Sequence, residues 1–265
     1  MAVSAYKFTQ ALHSMRSAFN AGRIFGIAAL AWVSSVPPLR ASDDAVSLTL
    51  SSGLASDHVD RGIERAGTSW QSSVYGSVSG WKGRVWYGRP LDADGVEEVR
   101  SSLGHGWKLS KTAALEVTGT HFWYVDQSIA SAPAHSFEGV IRLFSITAGR
   151  WNPSLEAAYD IRYRSTAVEL SVERELLTRA GAWTLRVYGG QVNARDVLPD
   201  TASVTLHDSY IYYGAVLGLR RMFGLRWGVQ GEIGLRGSAN QSSAWSEIPA
   251  RTARGRFSLN TLYQF

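Results

Sequence analysis

The chain of 265 residues contains no cysteine. This excludes a disulfide framework, a thiolate nucleophile and a cysteine-bound zinc site. The chain also lacks an apolar run of the length that a membrane-spanning helix needs, about 20 residues. Most of the chain also lacks a basic excess. The first 41 residues hold four of the 27 basic side chains and none of the 22 acidic ones, so residues 42–265 contain 23 basic and 22 acidic residues. A nucleic-acid-binding protein would keep a basic face in its folded part, so we expect no nucleic-acid partner.

The first 41 residues have the features of a secretory signal peptide. Lys7, Arg16 and Arg23 give a basic, acid-free start, and the largely apolar run 24–36 follows. This run is too short to span a bilayer and fits the apolar region of a signal peptide. An uncleaved anchor or a start codon placed too early would explain the same pattern. We predict a signal peptide over 1–41, with cleavage near Ala41 or Ala45, and an exported β domain over 42–265.

After this leader, apolar and polar residues alternate with a period of two. Successive side chains of a β-strand point to opposite faces, so this period predicts strands with one apolar and one polar face. The same alternation recurs in 153–164, 166–177 and 252–265. In 224–237 the two faces are Leu225, Trp227, Val229, Gly231, Ile233 and Leu235 on one side and Arg226, Gly228, Gln230, Glu232, Gly234 and Arg236 on the other.

Twelve such segments can be delimited, and most are long enough to cross an outer membrane. Crossing takes about 9–11 residues per tilted strand, whereas strands of soluble sandwiches are usually about 5–6 residues long. The segments predict an all-β, transmembrane, antiparallel up-and-down β-barrel of about 12 strands, with counts of about ten or fourteen as alternatives. They are roughly 45–57, 68–79, 83–91, 96–107, 112–125, 136–148, 153–164, 166–177, 182–194, 208–221, 224–237 and 252–265.

The connections between segments differ in length in a regular way. Gaps after even-numbered segments are short, for example 80–82 and 222–223, whereas most gaps after odd-numbered ones are longer, for example 126–135 and 238–251. Outer-membrane barrels of Gram-negative bacteria have short periplasmic turns and long outer loops. A soluble β-sandwich gives no reason for this sorting. We therefore expect a bacterial outer-membrane barrel with both termini on the periplasmic side, and outer-membrane lipid as its surroundings.

Aromatic residues cluster near the segment ends, where barrels carry two interfacial girdles. The core of a β-sandwich is the alternative explanation. The chain also ends in an aromatic pair, Tyr263 and Phe265, which resembles the signal read by the barrel-assembly machinery. We predict that both rings face lipid and that this machinery is a partner. The girdle candidates are Trp70, Trp81, Trp107, Trp123, Tyr124, Trp151, Trp183, Tyr210, Tyr212 and Phe223.

Ser56, Asp57, Arg61, Gly62 and Ile63 span the end of the first predicted segment and the residues that follow it. Their pattern resembles the N-terminal signature of the TorF-type porin family, which comprises proteobacterial outer-membrane barrels. The resemblance implies a pore and names no substrate. Independently of it, the spacing of Asp57 and Arg61 allows an inward acid–base pair at the mouth of the barrel, and a plain surface turn is the alternative.

The polar face of a membrane barrel must line the lumen. Both signs of charge occur on that face, which leaves two interpretations. The charges line a narrow aqueous passage for small hydrophilic solutes, or they pair across a small lumen and plug it. The lumen-lining candidates are Asp160, Arg162, Arg164, Glu169, Glu173, Arg226, Glu232 and Arg236.

Two other functions compete with a passive pore. An outer-membrane lipid hydrolase or deacylase would need a serine beside a base, and His207 and Ser209 share a face at the junction of a long loop and a strand. A polar loop end explains these residues better, because Asp-Ser is common in turns, and we expect no enzyme. A structural or adhesive barrel would use the polar loops. The scattered histidines give no metal-site spacing and no phosphate-binding loop occurs, so we expect no metal and no cofactor.

Overall fold

A computed structural model describes residues 46–60, 63–91, 97–125, 135–147, 150–161, 164–197, 205–239 and 254–265. The predicted signal peptide over 1–41 lies outside these residues and stays a prediction. Residues 46–265 form one compact unit. No helix long and apolar enough to cross a membrane occurs in the part of the chain that the structure describes.

Twelve strands close into an antiparallel barrel in which each strand pairs with the next along the chain, and the first strand closes the ring by pairing with the last. The predicted barrel of about 12 strands is confirmed. The barrel strands are β1 (Ser47–Ala55), β4 (Ser69–Val78), β5 (Trp81–Pro90), β6 (Glu98–Lys108), β7 (Ala113–Tyr124), β8 (His135–Ser145), β9 (Asn152–Asp160), β10 (Ser165–Thr178), β11 (Gly181–Val197), β12 (Thr205–Phe223), β13 (Trp227–Ala239) and β14 (Arg254–Gln264).

Two differences from the predicted segments stand out. A small hairpin outside the barrel sheet, β2 (His58–Asp60) and β3 (Ile63–Ala66), occupies part of the predicted loop 58–67. Strands β11 and β12 are 17 and 19 residues long and pair as far as Val197 and Thr205, beyond the predicted ends at 194 and 208. These ends carry polar residues, so hydrophobic alternation gave no signal for their continuation.

The outward face of the barrel is apolar and exposed. Leu155, Leu170, Ile233 and Leu259 are about half or more exposed, whereas their strand neighbours on the other face are largely covered. A surface of this extent in water would be strongly unfavourable, and hydrocarbon is the solvent that suits it. The barrel therefore has the exterior of a membrane-spanning protein.

Exposed aromatic side chains form a belt at each end of that surface. Trp81, Trp107, Trp151 and Phe223 lie beside the short turns. Trp70, Trp123, Phe137 and Tyr159 lie towards the opposite end. Amphipathic rings at two levels are typical of the interfaces of a bilayer.

Three predicted girdle residues do not belong to these belts. Tyr124 is 7% exposed, Tyr210 1% and Tyr212 2%, and all three point into the barrel. Tyr124 directly follows the outward Trp123, so the alternation of a strand places the two rings on opposite faces. Tyrosine suits a packed interior with polar partners as well as an interface, which is why its position near a strand end misled the prediction.

The barrel lumen as candidate functional site

A cavity of about 800 Å³ runs inside the barrel. It is lined along the whole of β1, from Ser47 beside the short turns to Ala55 at the other end. At about 3.3 Å per residue and a tilt of about 40°, that stretch rises about 20 Å, most of the height of a barrel's apolar band. The cavity is therefore a tract along the barrel axis and not a shallow surface pocket.

The cavity occupies one side of the interior, because the other side is filled by side chains. Its walls come from β1, β4–β7 and β12–β14. On β9–β12, by contrast, Ala158, Ala167, Val192, Tyr210 and Tyr212 form a buried apolar cluster. The interior thus has an open side and a packed side.

Reciprocal tyrosine–glycine contacts build the packed side. Gly190 of β11 is paired with Tyr212 of β12, and Tyr188 of β11 with Gly214 of β12. A Cβ atom built at Gly190 would lie 2.5 Å from Tyr212 Cζ, and one at Gly214 would lie 2.5 Å from Tyr188 Cζ. Each ring therefore lies flat over the glycine of the facing strand, which requires a residue without a side chain there.

Polar groups of the packed side are joined in a ladder across three strands. Glu169 of β10 forms an ion pair with Arg186 of β11 and accepts a hydrogen bond of 3.0 Å from the Tyr212 hydroxyl. The Arg186 guanidinium carbon also lies 5.2 Å from the centre of the Tyr188 ring. Because Glu169 is bonded to side chains of both β11 and β12, this ladder holds β10–β12 in register.

On the open side, acids that line the cavity are paired with bases. Glu116 forms an ion pair with Lys82, and Glu232 accepts a hydrogen bond of 3.1 Å from Arg256 Nη2. The second oxygen of Glu232 accepts a hydrogen bond of 3.0 Å from Gln230. These pairs lie on adjacent or nearby strands and leave the lumen between them unfilled.

Asp57, the acidic residue of the motif that resembles the TorF-type signature, has an ion-pair partner far along the chain. Asp57 lines the cavity and forms an ion pair with Arg236 of β13, and the two side chains are only 14% and 8% exposed. The sequence had offered Arg61 as the partner. Arg61 and Gly62 lie outside the described residues, so their part in the predicted motif stays a prediction. Ser56 closes the barrel nearby, because its hydroxyl accepts a hydrogen bond of 3.0 Å from Phe257 N.

The predicted lumen residues fall into three groups. Glu169, Glu232 and Arg236 have inward positions with the partners described above, Asp160 accepts a hydrogen bond from Ser136, and Glu173 shares the inward face of β10 with buried Ser171. Arg164 and Arg226 do not line the lumen. Arg162 lies outside the described residues.

Both misplaced arginines lie in turns. Arg164 precedes β10 with a positive φ of 48°, and Arg226 precedes β13, where it donates a hydrogen bond of 3.3 Å to the Tyr263 hydroxyl. The predicted strands ran four residues too far at Arg164 and three residues too far at Arg226. An error of that size moves a residue from the lumen to a rim without disturbing the alternation.

Several lumen residues were missed by the sequence-based prediction. Arg84, Arg220 and Arg256 line the cavity, and Arg100 stands between Trp86 and Phe122 at 5.1 and 4.9 Å from their ring centres. Alternation could have identified Arg100, Arg220 and Arg256 in the same way as Glu232. It could not have identified Arg84, because each face of its segment holds one arginine and one aromatic ring.

The serine of the hydrolase alternative has another role in the structure. Ser209 is exposed, and its hydroxyl accepts a hydrogen bond of 3.1 Å from Gln191 Nε2. Its position alternates with the inward Tyr210, so it points away from the lumen. The His207 side chain lies outside the described part of the structure. Among the described residues, no group of three histidine or acidic side chains could hold a metal ion.

The terminal aromatic pair belongs to the outward face. Phe265 is 67% exposed, and Tyr263 contacts both Phe265 and Trp227, with ring centres 4.7 Å apart in each case. The pair therefore lies in the aromatic belt beside the short turns.

The fold is similar to the folds of solved outer-membrane channels. The chain is similar to the NanC porin, with a TM-score of 0.52 and 9% identity over 82% of this chain and 98% of that one. It is also similar to an outer membrane channel from Pseudomonas putida F1, with a TM-score of 0.53 and 9% identity over 87% of this chain and 100% of that one. The likeness shows a porin-like fold. No protein-family model and no curated protein sequence matches the chain.

Proposed function

We propose that the protein is an outer-membrane channel for the passive diffusion of small hydrophilic solutes. The observation that carries this proposal is the polar cavity that follows the barrel axis beneath an apolar exterior. A water-filled tract with fixed charges allows polar solutes to cross a layer that otherwise excludes them. A twelve-stranded barrel is wide enough for a narrow passage when only one side of its interior is packed.

The setting of this channel follows from the same features. We propose that 1–41 directs export, that the barrel-assembly machinery reads Tyr263 and Phe265, and that outer-membrane lipid covers the apolar face. Membership of the TorF-type porin family remains part of the proposal, supported by Ser56 and Asp57 at the end of the first strand. The names of the two similar structures, a porin and an outer membrane channel, agree with a channel and do not bear on that family.

Neither a plugged structural barrel nor a hydrolase at the rim is supported by an equally specific observation. A plugged barrel would need side chains on both sides of the lumen, whereas the described interior is packed on one side. A rim hydrolase would need a base on Ser209, and the described partner of its hydroxyl is the amide of Gln191. We therefore propose that the protein is not an enzyme.

Because the chain has no cysteine, one introduced thiol can report on the lumen without background. Ser102 lines the cavity, whereas the adjacent Ser101 points to the outer face. Protein purified from membranes of cells expressing the full chain should give stepwise single-channel currents in planar bilayers. A charged methanethiosulfonate reagent should reduce those currents in Ser102→Cys and leave Ser101→Cys unchanged. An inserted, folded barrel without conductance would overturn the proposal.

A further inference from the structure

We propose that the open side of the lumen selects small organic anions, with Arg84 and Arg220 as the groups that bind a carboxylate or phosphate. This inference rests on the proposed channel and adds the class of solute. Arg84 lies on β5 and Arg220 on β12, and both line the same cavity.

The acids of this cavity are already engaged. Those that line it are Asp57, Glu116 and Glu232, and each has an ion-pair partner on the barrel wall. Glu232 uses both carboxylate oxygens, one for Arg256 and one for Gln230. Their charges are therefore largely neutralised before a solute arrives.

Arg84 and Arg220 differ from the other bases of this cavity. Lys82 and Arg256 have acidic partners, whereas Arg84 and Arg220 form no ion pair with any described residue. Both are exposed to the lumen. Arg84 interacts electrostatically with Glu232 across the cavity, but no hydrogen bond or ion pair joins these two described side chains, and each oxygen of that carboxylate already accepts a hydrogen bond from another residue. Two guanidinium groups are thus left with their donors available to a solute.

The acids on the inward face of β8–β10 do not cancel this charge locally. Glu138, Glu156, Asp160, Glu169 and Glu173 are not among the residues that line the cavity. Glu169 is held by Arg186, and Asp160 by Ser136. A solute in the cavity therefore meets a surplus of positive charge on the walls nearest to it.

Chemistry and size agree on the class of solute. The planar guanidinium fork matches carboxylates and phosphates and binds them with two parallel hydrogen bonds. Hydroxyl and amide groups on the same walls, such as Ser73, Thr118 and Asn260, suit a hydroxylated body. A cavity of about 800 Å³ accommodates a molecule the size of a sugar. The occupant is therefore a small, hydroxylated organic anion.

Measurements of ion selectivity test the inference, because different substitutions should lower or raise the preference for anions. In a KCl gradient, the reversal potential of the wild type should show a preference for chloride over potassium. Arg84→Gln with Arg220→Gln should lower the chloride-to-potassium permeability ratio by about 1.5- to 5-fold per arginine, the range expected for interactions between water-exposed charges. Glu232→Gln releases Arg256 and should raise the ratio. Arg221→Gln is the matched control, because that guanidinium lies on the outer face 5.5 Å from the Phe223 ring centre.

Calorimetry on the detergent-solubilised protein separates binding from conduction. Gluconate and glucose 6-phosphate should bind to the wild type and to Arg221→Gln, glucose should bind far more weakly, and the Arg84→Gln, Arg220→Gln double variant should bind neither anion. Binding of one anion but not the other would identify the acidic group.

The outcomes distinguish the two proposals. A conducting barrel with no anion preference, or with a preference that the double variant retains, would overturn the inference and leave the channel. A barrel that binds gluconate or glucose 6-phosphate without conducting would overturn the channel and support the anion site. A barrel that neither conducts nor binds would overturn both.

Discussion

Asp57 and Arg236 form a buried ion pair that joins the end of β1 to β13, across the intervening β14. The pair links the first and the last but one barrel strands at the position where the ring closes. Its two side chains are 14% and 8% exposed, so neither charge is well solvated if its partner is removed. The ion pair therefore adds a contact between residues 179 positions apart to the pairing of β1 with β14 that closes the barrel.

We predict that Asp57→Asn destabilises the barrel by about 3–5 kcal/mol, because it leaves the Arg236 charge buried without its partner. Unfolding in urea, followed by the altered gel mobility of the folded barrel, would measure the loss. The pair Arg256 and Glu232 is the control, since its side chains are 27% and 28% exposed, and Glu232→Gln should cost about 0–1 kcal/mol. Equal losses in the two variants would contradict the role given to burial. Asp57→Asn combined with Arg236→Gln should recover part of the stability.

We predict that Gly190→Ala destabilises the barrel by about 1–3 kcal/mol, the usual cost of overpacking. The new Cβ would lie 2.5 Å from Tyr212 Cζ, and that ring is held by its hydrogen bond to Glu169. The control is Gly139→Ala, whose Cβ would meet no atom within 4 Å. Adding Tyr212→Leu should relieve the clash in Gly190→Ala. If Gly190→Ala were as stable as Gly139→Ala in the same urea titration, the packed wall would not be rigid.

We predict that Phe265→Ala lowers the amount of assembled barrel in cells without a matching loss of stability. Phe265 is 67% exposed, so the folded barrel loses little contact when the ring is removed. Phe257→Ala is the control, because it removes a similarly exposed ring, 56% exposed, from the same strand. Quantifying the folded band in membranes and the urea midpoint of purified protein separates the two effects. A parallel decrease in both variants would argue against recognition of the terminal residue.

We predict that Ser209→Ala leaves both conductance and lipid composition unchanged. Its hydroxyl accepts a hydrogen bond from Gln191 on the outward face, away from the lumen. The measurement is the release of fatty acid from phospholipid and lipopolysaccharide by wild type and variant, beside their single-channel currents. Fatty-acid release by the wild type that disappears in Ser209→Ala would establish the hydrolase in place of the inert role proposed for this serine.

The barrel itself could be predicted because one period governs every strand. Leu155, Leu170 and Ile233 belong to the face that alternation assigned to lipid, and they are exposed as expected. Strand ends were less certain, since no hydrophobic signal marks them. That uncertainty explains why Arg164 and Arg226 were assigned to the lumen although they lie in turns.

The pairing of charges could not be predicted from alternation. Alternation gives the face of a side chain but not its height, and the height depends on the register between strands. Asp57 and Arg236 share a face in the sequence pattern, yet only the closed ring brings them together. The packed side of the interior could not be predicted from the sequence for a related reason. The contact of Gly190 with Tyr212 depends on the register of β11 with β12.

Because the cavity lies off centre, the residues that maintain the shape of the barrel are separate from the residues that line the cavity. The tyrosine–glycine wall of β11 and β12 and the ladder through Glu169 maintain the shape, whereas Arg84 and Arg220 would contact the solute of the proposed channel. In that channel, substitutions of these two arginines change what crosses the membrane at little cost to folding. A barrel of this kind can change its solute specificity through substitutions on one side of the lumen, while the residues that pack the other side remain constant.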